Sequence, residues 1–188
     1  ALEGGVNSDL QEYYPTMTLD GNNLVFTRKV LSSVGDYEHE DFFTSSRLSS
    51  TNWSKAEPLK GINTAFNEGA PSISADGMTI IFTTCASPRD GFGDRKGKGS
   101  CDLFESVYDP NVGLWSLGEN LGAPNSSSWE SQPTLSADGN FLVFARARYS
   151  RGRGSDLFGA LRGEDGKWGR PFSLPGNVNT AFEEESPF

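Results

Sequence analysis

Cys85, Cys101 and His39 carry the most reactive side chains of this 188-residue chain, and their scarcity already limits its chemistry. A Ser-His-Asp triad would have to use His39, the only histidine, and no nucleophile-elbow sequence accompanies it. Metal centres built on several histidines are excluded for the same reason. Two cysteines are too few for a four-cysteine zinc site or a disulfide-dense scaffold. They bracket a glycine-rich loop, residues 86–100. Outside the cytoplasm a disulfide stapling that loop is the natural reading; in a reducing compartment the two are buried thiols. Within the loop, Gly91 to Ser100 imitates a phosphate-binding loop, but Phe92 stands where the required glycine should be and no helix follows. No cofactor is expected.

The acidic residues are more numerous and more regular. Asp20-Gly21, Asp76-Gly77 and Asp138-Gly139 lack the spacing of a calcium loop and fit tight turns. Asp41, Asp102 and Asp156 recur in register, as do Glu12, Glu68, Glu130 and Glu184. A catalytic carboxylate is needed once, so recurrence points to hydrogen bonding between repeats; a central ring of carboxylates around a cation is the sharper alternative. Two loops are locally basic: Arg89, Arg95, Lys96 and Lys98 in the first, and Arg146, Arg148, Arg151 and Arg153 with Tyr149 in the second. Each is either a solvated face or a docking surface for an anionic protein, glycan or lipid headgroup. Trp53, Trp115 and Trp168 recur in register, which suits packing between repeats. Trp129 falls outside that register and is the candidate for stacking on a ligand.

The elements that hold these residues form three copies of one unit. Pro15, Pro71 and Pro133 each open a short strand that ends in one of the Asp-Gly turns. An apolar strand follows each turn, as Leu24-Val25-Phe26, Ile80-Ile81-Phe82 and Leu142-Val143-Phe144. Then come Asp41-Phe42-Phe43, Asp102-Leu103-Phe104 and Asp156-Leu157-Phe158, the tryptophan, and an Asn-rich closing segment. The prolines are 56 and 62 residues apart, and Val6-Asn7-Ser8 matches Val178-Asn179-Thr180 at an offset of 172, three repeat lengths. Asp-Gly between apolar strands is a hairpin signal, and nothing sustains a helical period. Units of this length with three or four short strands predict blades of a β-propeller, approximately 12–68, 69–130 and 131–184. The expected fold is all-β: a segment of three four-stranded blades in an incomplete ring, either a fragment or completed by a second copy. Open terminal strands invite pairing with another chain.

The pattern Pro-x-hydroxyl-x-x-Asp-Gly-x-x-apolar-x-Phe, then Asp-Leu-Phe, Trp-Ser and Asn-Thr-x-x-x-Glu, resembles the WD40-like PD40 repeat. That repeat occurs in TolB-type propellers and in OmpA-family envelope proteins of Bacteroidetes, including a type 9 secretion component. In the middle unit, Pro124 to Glu130 departs from the closing pattern. The resemblance implies a non-catalytic scaffold, extracytoplasmic and periplasmic at the outer membrane, that docks an envelope or secretion protein. The alternative is a carbohydrate-active or carbohydrate-binding propeller. Composition agrees with a protein or glycan partner: a net charge of −9 disfavours nucleic acid, and no apolar run reaches the roughly 18 residues of a membrane-spanning helix. The first 15 residues hold no signal peptide, so the chain reads as a mature or truncated product.

Overall fold

The computed structural model describes residues 2, 4–31, 37–148 and 154–188. Thirteen strands and no helix are present among them: β1 (Glu12–Met17), β2 (Asn23–Leu31), β3 (Glu38–Ser46), β4 (Glu57–Pro58), β5 (Asn67–Ile73), β6 (Thr79–Cys85), β7 (Cys101–Asp109), β8 (Leu114–Trp115), β9 (Glu119–Asn120), β10 (Glu130–Leu135), β11 (Phe141–Ala147), β12 (Ser155–Leu161) and β13 (Phe172–Ser173). They form three antiparallel meanders in strict chain order, β1-β2-β3-β4, β5-β6-β7-β8 and β10-β11-β12-β13, with β9 also paired to β7. The middle blade therefore has five strands rather than four, because its outer edge is split into two short pieces.

The turns explain the order. Asp20, Asp76 and Asp138 each accept a hydroxyl, from Thr18, Ser74 and Ser136 at 2.5–2.6 Å, and a backbone N–H two residues on. These bonds hold all three carboxyls below the usual aspartate range, the hydroxyl contributing most. The next residue sits at φ near +70°, which glycine adopts without a Cβ clash, so a two-strand hairpin closes tightly at each point.

Strands β1, β5 and β10 are the inner strands. Each carries a bulge where the residue before proline, Tyr14, Ala70 or Gln132, is forced to φ of 50–53°. Non-glycine residues rarely take this conformation, and a following proline disfavours it further. The preceding blade supports it: Thr27 and Thr83 hydroxyls accept the N–H groups of Ala70 and Gln132, both at 3.2 Å.

Both faces of the middle blade are buried. Val25, Phe42 and Ile62 of the first blade meet Ile80, Phe82, Phe104 and Trp115 of the second. Ile81, Leu103 and Leu121 on the second blade's other face meet Leu142, Phe144, Ala160 and Trp168 of the third. Trp115 and Trp168 are buried in these seams, where indole area removed from water stabilises the stacking of sheets, and Trp53 is buried on the first blade's other face with Val6, Leu24, Phe26 and Ala56.

Candidate functional site: the seams between blades

Each closing segment is a two-ended clip. Asn63 imitates a neighbouring strand, its Oδ1 accepting from Phe42 N–H and its Nδ2 donating to Phe42 C=O, both at 2.9 Å. Asn125 does the same to Leu103 and Asn179 to Leu157. The next residue donates its hydroxyl and N–H to the glutamate that opens the following inner strand: Thr64 to Glu68, and Ser126 to Glu130. The departure at Pro124 to Glu130 is thus superficial, because serine supplies the same hydroxyl as threonine. Asn125→Ala leaves the buried Leu103 N–H unpaired while Leu103 C=O keeps Leu121 N–H, and is expected to cost about 1–2 kcal/mol in urea unfolding.

The far end of the clip is an ion pair. Arg28 donates to Glu12 and Arg146 to Glu130, each at 2.8 Å, from equivalent positions on β2 and β11. Each guanidinium also covers two phenylalanines, Phe26 and Phe43, or Phe144 and Phe158. The middle blade has Thr84 at that position. Here Arg95 enters from the loop 86–100, donates to Glu68 at 2.5 Å and to Ile62 C=O at 2.6 Å, and covers Phe82 and Phe104. Its side chain is 1% exposed. Arg95 is therefore not a docking cation but a replacement part for the seam. The loop that delivers it is closed by a disulfide between Cys85 and Cys101. Burial pushes the Glu68 carboxyl up, while Arg95 and Thr64 oppose that shift.

A second repair occurs at the axis. Ala145 stands where Thr27 and Thr83 stand, and lacks their hydroxyl. Ser186 N–H is accepted instead by Gln132 Oε1 at 2.6 Å, and Gln132 Nε2 donates to Tyr14 OH at 3.1 Å. The axial cleft beside them, about 240 Å³, is lined by Tyr14, Pro71, Gln132, Pro133 and Thr134 among others, with no carboxylate side chain among the described residues.

The recurring aspartates differ in their surroundings. Asp102 accepts from Lys98 and Gly99 N–H and from Asn120 Nδ2, and Asp156 accepts from Arg148. Among the described residues, Asp41 has only His39 Nε2 beside it at 3.3 Å, an ion-pair distance without hydrogen-bond alignment, so Asp41 Oδ1 is left unbonded. Burial pushes the Asp41 carboxyl from 3.8 up to about 6. The native state then keeps a proton that the unfolded chain has released. This contribution to stability is whole below 3.8 and is lost as pH rises through about 6. A carbon-13 titration of Asp41 should give a midpoint near 6, and Asp41→Asn should remove the corresponding slope of stability against pH.

Several basic residues read from the sequence as docking groups are engaged within the protein. Besides Arg95, Arg146 is held by Glu130 and Pro124 C=O, and Arg148 by Asp156, Glu184 and Phe182 C=O. Lys98 is exposed but donates to Gly122 C=O at 2.9 Å, and Arg89 and Lys96 stand in solvent. Tyr149, Arg151 and Arg153 lie outside the described residues. Trp129 is half-buried, bridged through its backbone to Cys101.

Both seams carry a groove. Between the second and third blades, Arg162 donates to Glu105 at 2.5 Å and lies 4.6 Å over the Trp168 ring. At the seam between the first and second blades the equivalent residues are Tyr108 and Thr44, and Tyr108 lies 5.4 Å from Trp115, centroid to centroid. A groove of about 650 Å³ persists there, bordered by Thr44, Glu57, Lys60, Asp76, Tyr108 and Trp115 among others. A groove of about 760 Å³ also lies at the bridged seam, bordered by Glu105, Ser116, Leu121, Lys167 and Trp168 among others, so the Arg162–Glu105 pair does not close it; sequence reading missed both.

Sheets in chain order, joined by clips and buried face to face, define a segment of a β-propeller. No protein-family model matches the chain, and no curated protein matches it. Among solved structures, it is similar to an α-L-arabinofuranosidase from Lactobacillus brevis, with a TM-score of 0.51 and 12% identity over 91% of this chain and 59% of that one. A thermostable family-43 glycoside hydrolase gives a TM-score of 0.51 and 15% identity over 89% of this chain and 59% of its own. The chain thus spans less than two thirds of the length of either structure. At these identities the likeness shows the propeller fold alone.

Proposed function

We propose that the chain is a non-catalytic scaffold, the propeller segment of a bacterial cell-envelope protein that docks another protein of an outer-membrane assembly or secretion complex. The observation that carries this reading is the use of the recurring carboxylates. Glu12, Glu68, Glu130 and Glu184 each neutralise an arginine, and the axial cleft is lined without a carboxylate among the described residues. A glycosidase needs two carboxylates flanking a substrate, each in a different environment and free to exchange protons. The disulfide suits an oxidising compartment such as the periplasm. The test is substrate depletion with glycans and peptides at high protein concentration. No turnover is expected, whereas turnover abolished by one Asp or Glu substitution rejects the scaffold. Saturable oligosaccharide binding without turnover supports the carbohydrate-binding alternative instead.

A further inference from the structure

The middle blade departs from its neighbours at two adjoining positions. Opposite the in-register aspartates Asp41 and Asp156 the strands carry Arg28 and Arg146; opposite Asp102 stands Thr84. One rung further along the same ladders, Lys29 faces Glu40 and Ala147 faces Ser155, but Cys85 faces Cys101 and is bonded to it. The blade that lacks a strand arginine is thus the blade with a disulfide, one residue away. Arg28 and Arg146 are fixed to their seams by the strands that bear them. Arg95 reaches its seam from the loop that the disulfide closes.

We propose that the Cys85–Cys101 disulfide is a site of thiol–disulfide exchange, and that its reduction by a dithiol loosens Arg95 and with it the seam between the first and second blades. The device operates whatever the scaffold docks. Arg95 is the only fully buried residue of 86–100, and Gly91, Gly93, Gly97 and Gly99 give a released segment wide conformational freedom. What the loop does hold belongs to that seam. Arg95 binds Glu68 and Ile62 C=O, and Gly93 lies against the Phe66 ring with no room for a Cβ. The loop's return is anchored beside the bridge, where Asp102 accepts Lys98 and Gly99 N–H, so fraying of the Cys85–Cys101 rung reaches those anchors first. Cys85 is only partly buried, whereas Cys101 is 6% exposed, so an incoming thiolate meets the Cys85 sulfur. It bonds to that sulfur as the disulfide breaks, and Cys101 leaves as a thiolate that takes a proton from water. The second thiol of the reductant, after losing its proton, displaces Cys85 from the mixed disulfide as a thiolate, which is protonated in turn. Two electrons pass from the dithiol, oxidised to its own disulfide, to the cystine.

Amide hydrogen exchange, resolved by NMR in the full chain, compares the oxidised protein with protein reduced by dithiothreitol. Thr64 N–H, bound to Glu68, reports on the first–second seam, and Ser126 N–H, bound to Glu130, on the second–third. Reduction should speed exchange at Thr64 by about fivefold or more relative to Ser126, and reoxidation should reverse it. An Arg95→Ala/Thr84→Arg variant moves the guanidinium from loop to strand, and reducing its disulfide should leave that ratio within about twofold. Cys85→Ser/Cys101→Ser, with no reductant present, should show the ratio of the reduced parent. Lys96→Ala, on the exposed part of the loop, should respond as the parent does. A bridge that only staples the chain speeds both amides alike through global unfolding. Equal acceleration at the two seams, acceleration confined to the loop, or a bridge reduced only when the whole chain unfolds overturns the proposal. So does an undiminished redox response in the Arg95→Ala/Thr84→Arg variant, or a Cys85→Ser/Cys101→Ser protein that exchanges like the oxidised parent.

Discussion

Arg95→Ala should lower the unfolding free energy by about 3–5 kcal/mol at neutral pH, because it strands a fully buried carboxylate. Equilibrium urea unfolding measures this directly. Arg28→Ala should cost less, since Glu12 keeps 13% of its side chain in contact with water. The loss also carries a pH signature. Burial raises the Glu68 carboxyl, and removal of Arg95 deletes the largest force opposing that shift. A carboxyl whose native pKa is raised favours the folded state when protonated, and that benefit disappears as pH rises through the native value. The variant's deficit should therefore shrink on acidification. Rescue is available from the repeat: Thr84→Arg in the Arg95→Ala background returns the guanidinium to the position held by Arg28 and Arg146. Thr84 Oγ1 makes no hydrogen bond, so its loss costs little. Recovery of at least half the lost stability is expected. An Arg95→Ala protein as stable as the parent would refute the whole account of the seam.

Removing the disulfide should produce the second largest effect. Cys85 and Cys101 are 16 residues apart, and closing a loop of that size stabilises by about 3 kcal/mol through the unfolded chain. Here the closure also restricts the segment that carries Arg95 into the seam and places Lys98 and Gly99 N–H on Asp102. Cys85→Ser/Cys101→Ser and Arg95→Ala should then be less than additive, with a coupling of about 1 kcal/mol or more. Full additivity in a double-mutant cycle would mean that the bridge acts on the unfolded state alone.

The fold was legible because the signals that set it are local. Asp-Gly turns, apolar triplets and a proline at each inner strand specify a meander whatever lies beside it, and the three sheets follow that order. Trp53, Trp115 and Trp168 were legible for a related reason: in-register aromatics have one common environment. The basic loop residues were not. Whether Arg95 points to water or to Glu68 depends on a threonine eleven residues earlier and on a glutamate across the blade, and charge clustering along the chain carries neither fact. The same holds for Arg146 and Arg148. The bonds from Asn63 to Phe42 and from Asn125 to Leu103 span 21 and 22 residues, a distance over which composition says nothing.

The clips have a consequence for how the chain gains and loses structure. Each begins with an asparagine bound to one sheet and ends with a glutamate built into the next, so the sequence period and the cooperative unit are out of phase. A single blade excised at its proline would carry half a fastener at either end and should not hold its shape in isolation. Free energy resides in the junctions, as in a one-dimensional chain governed by nearest-neighbour coupling, and fraying should begin at whichever end has no neighbour to grip.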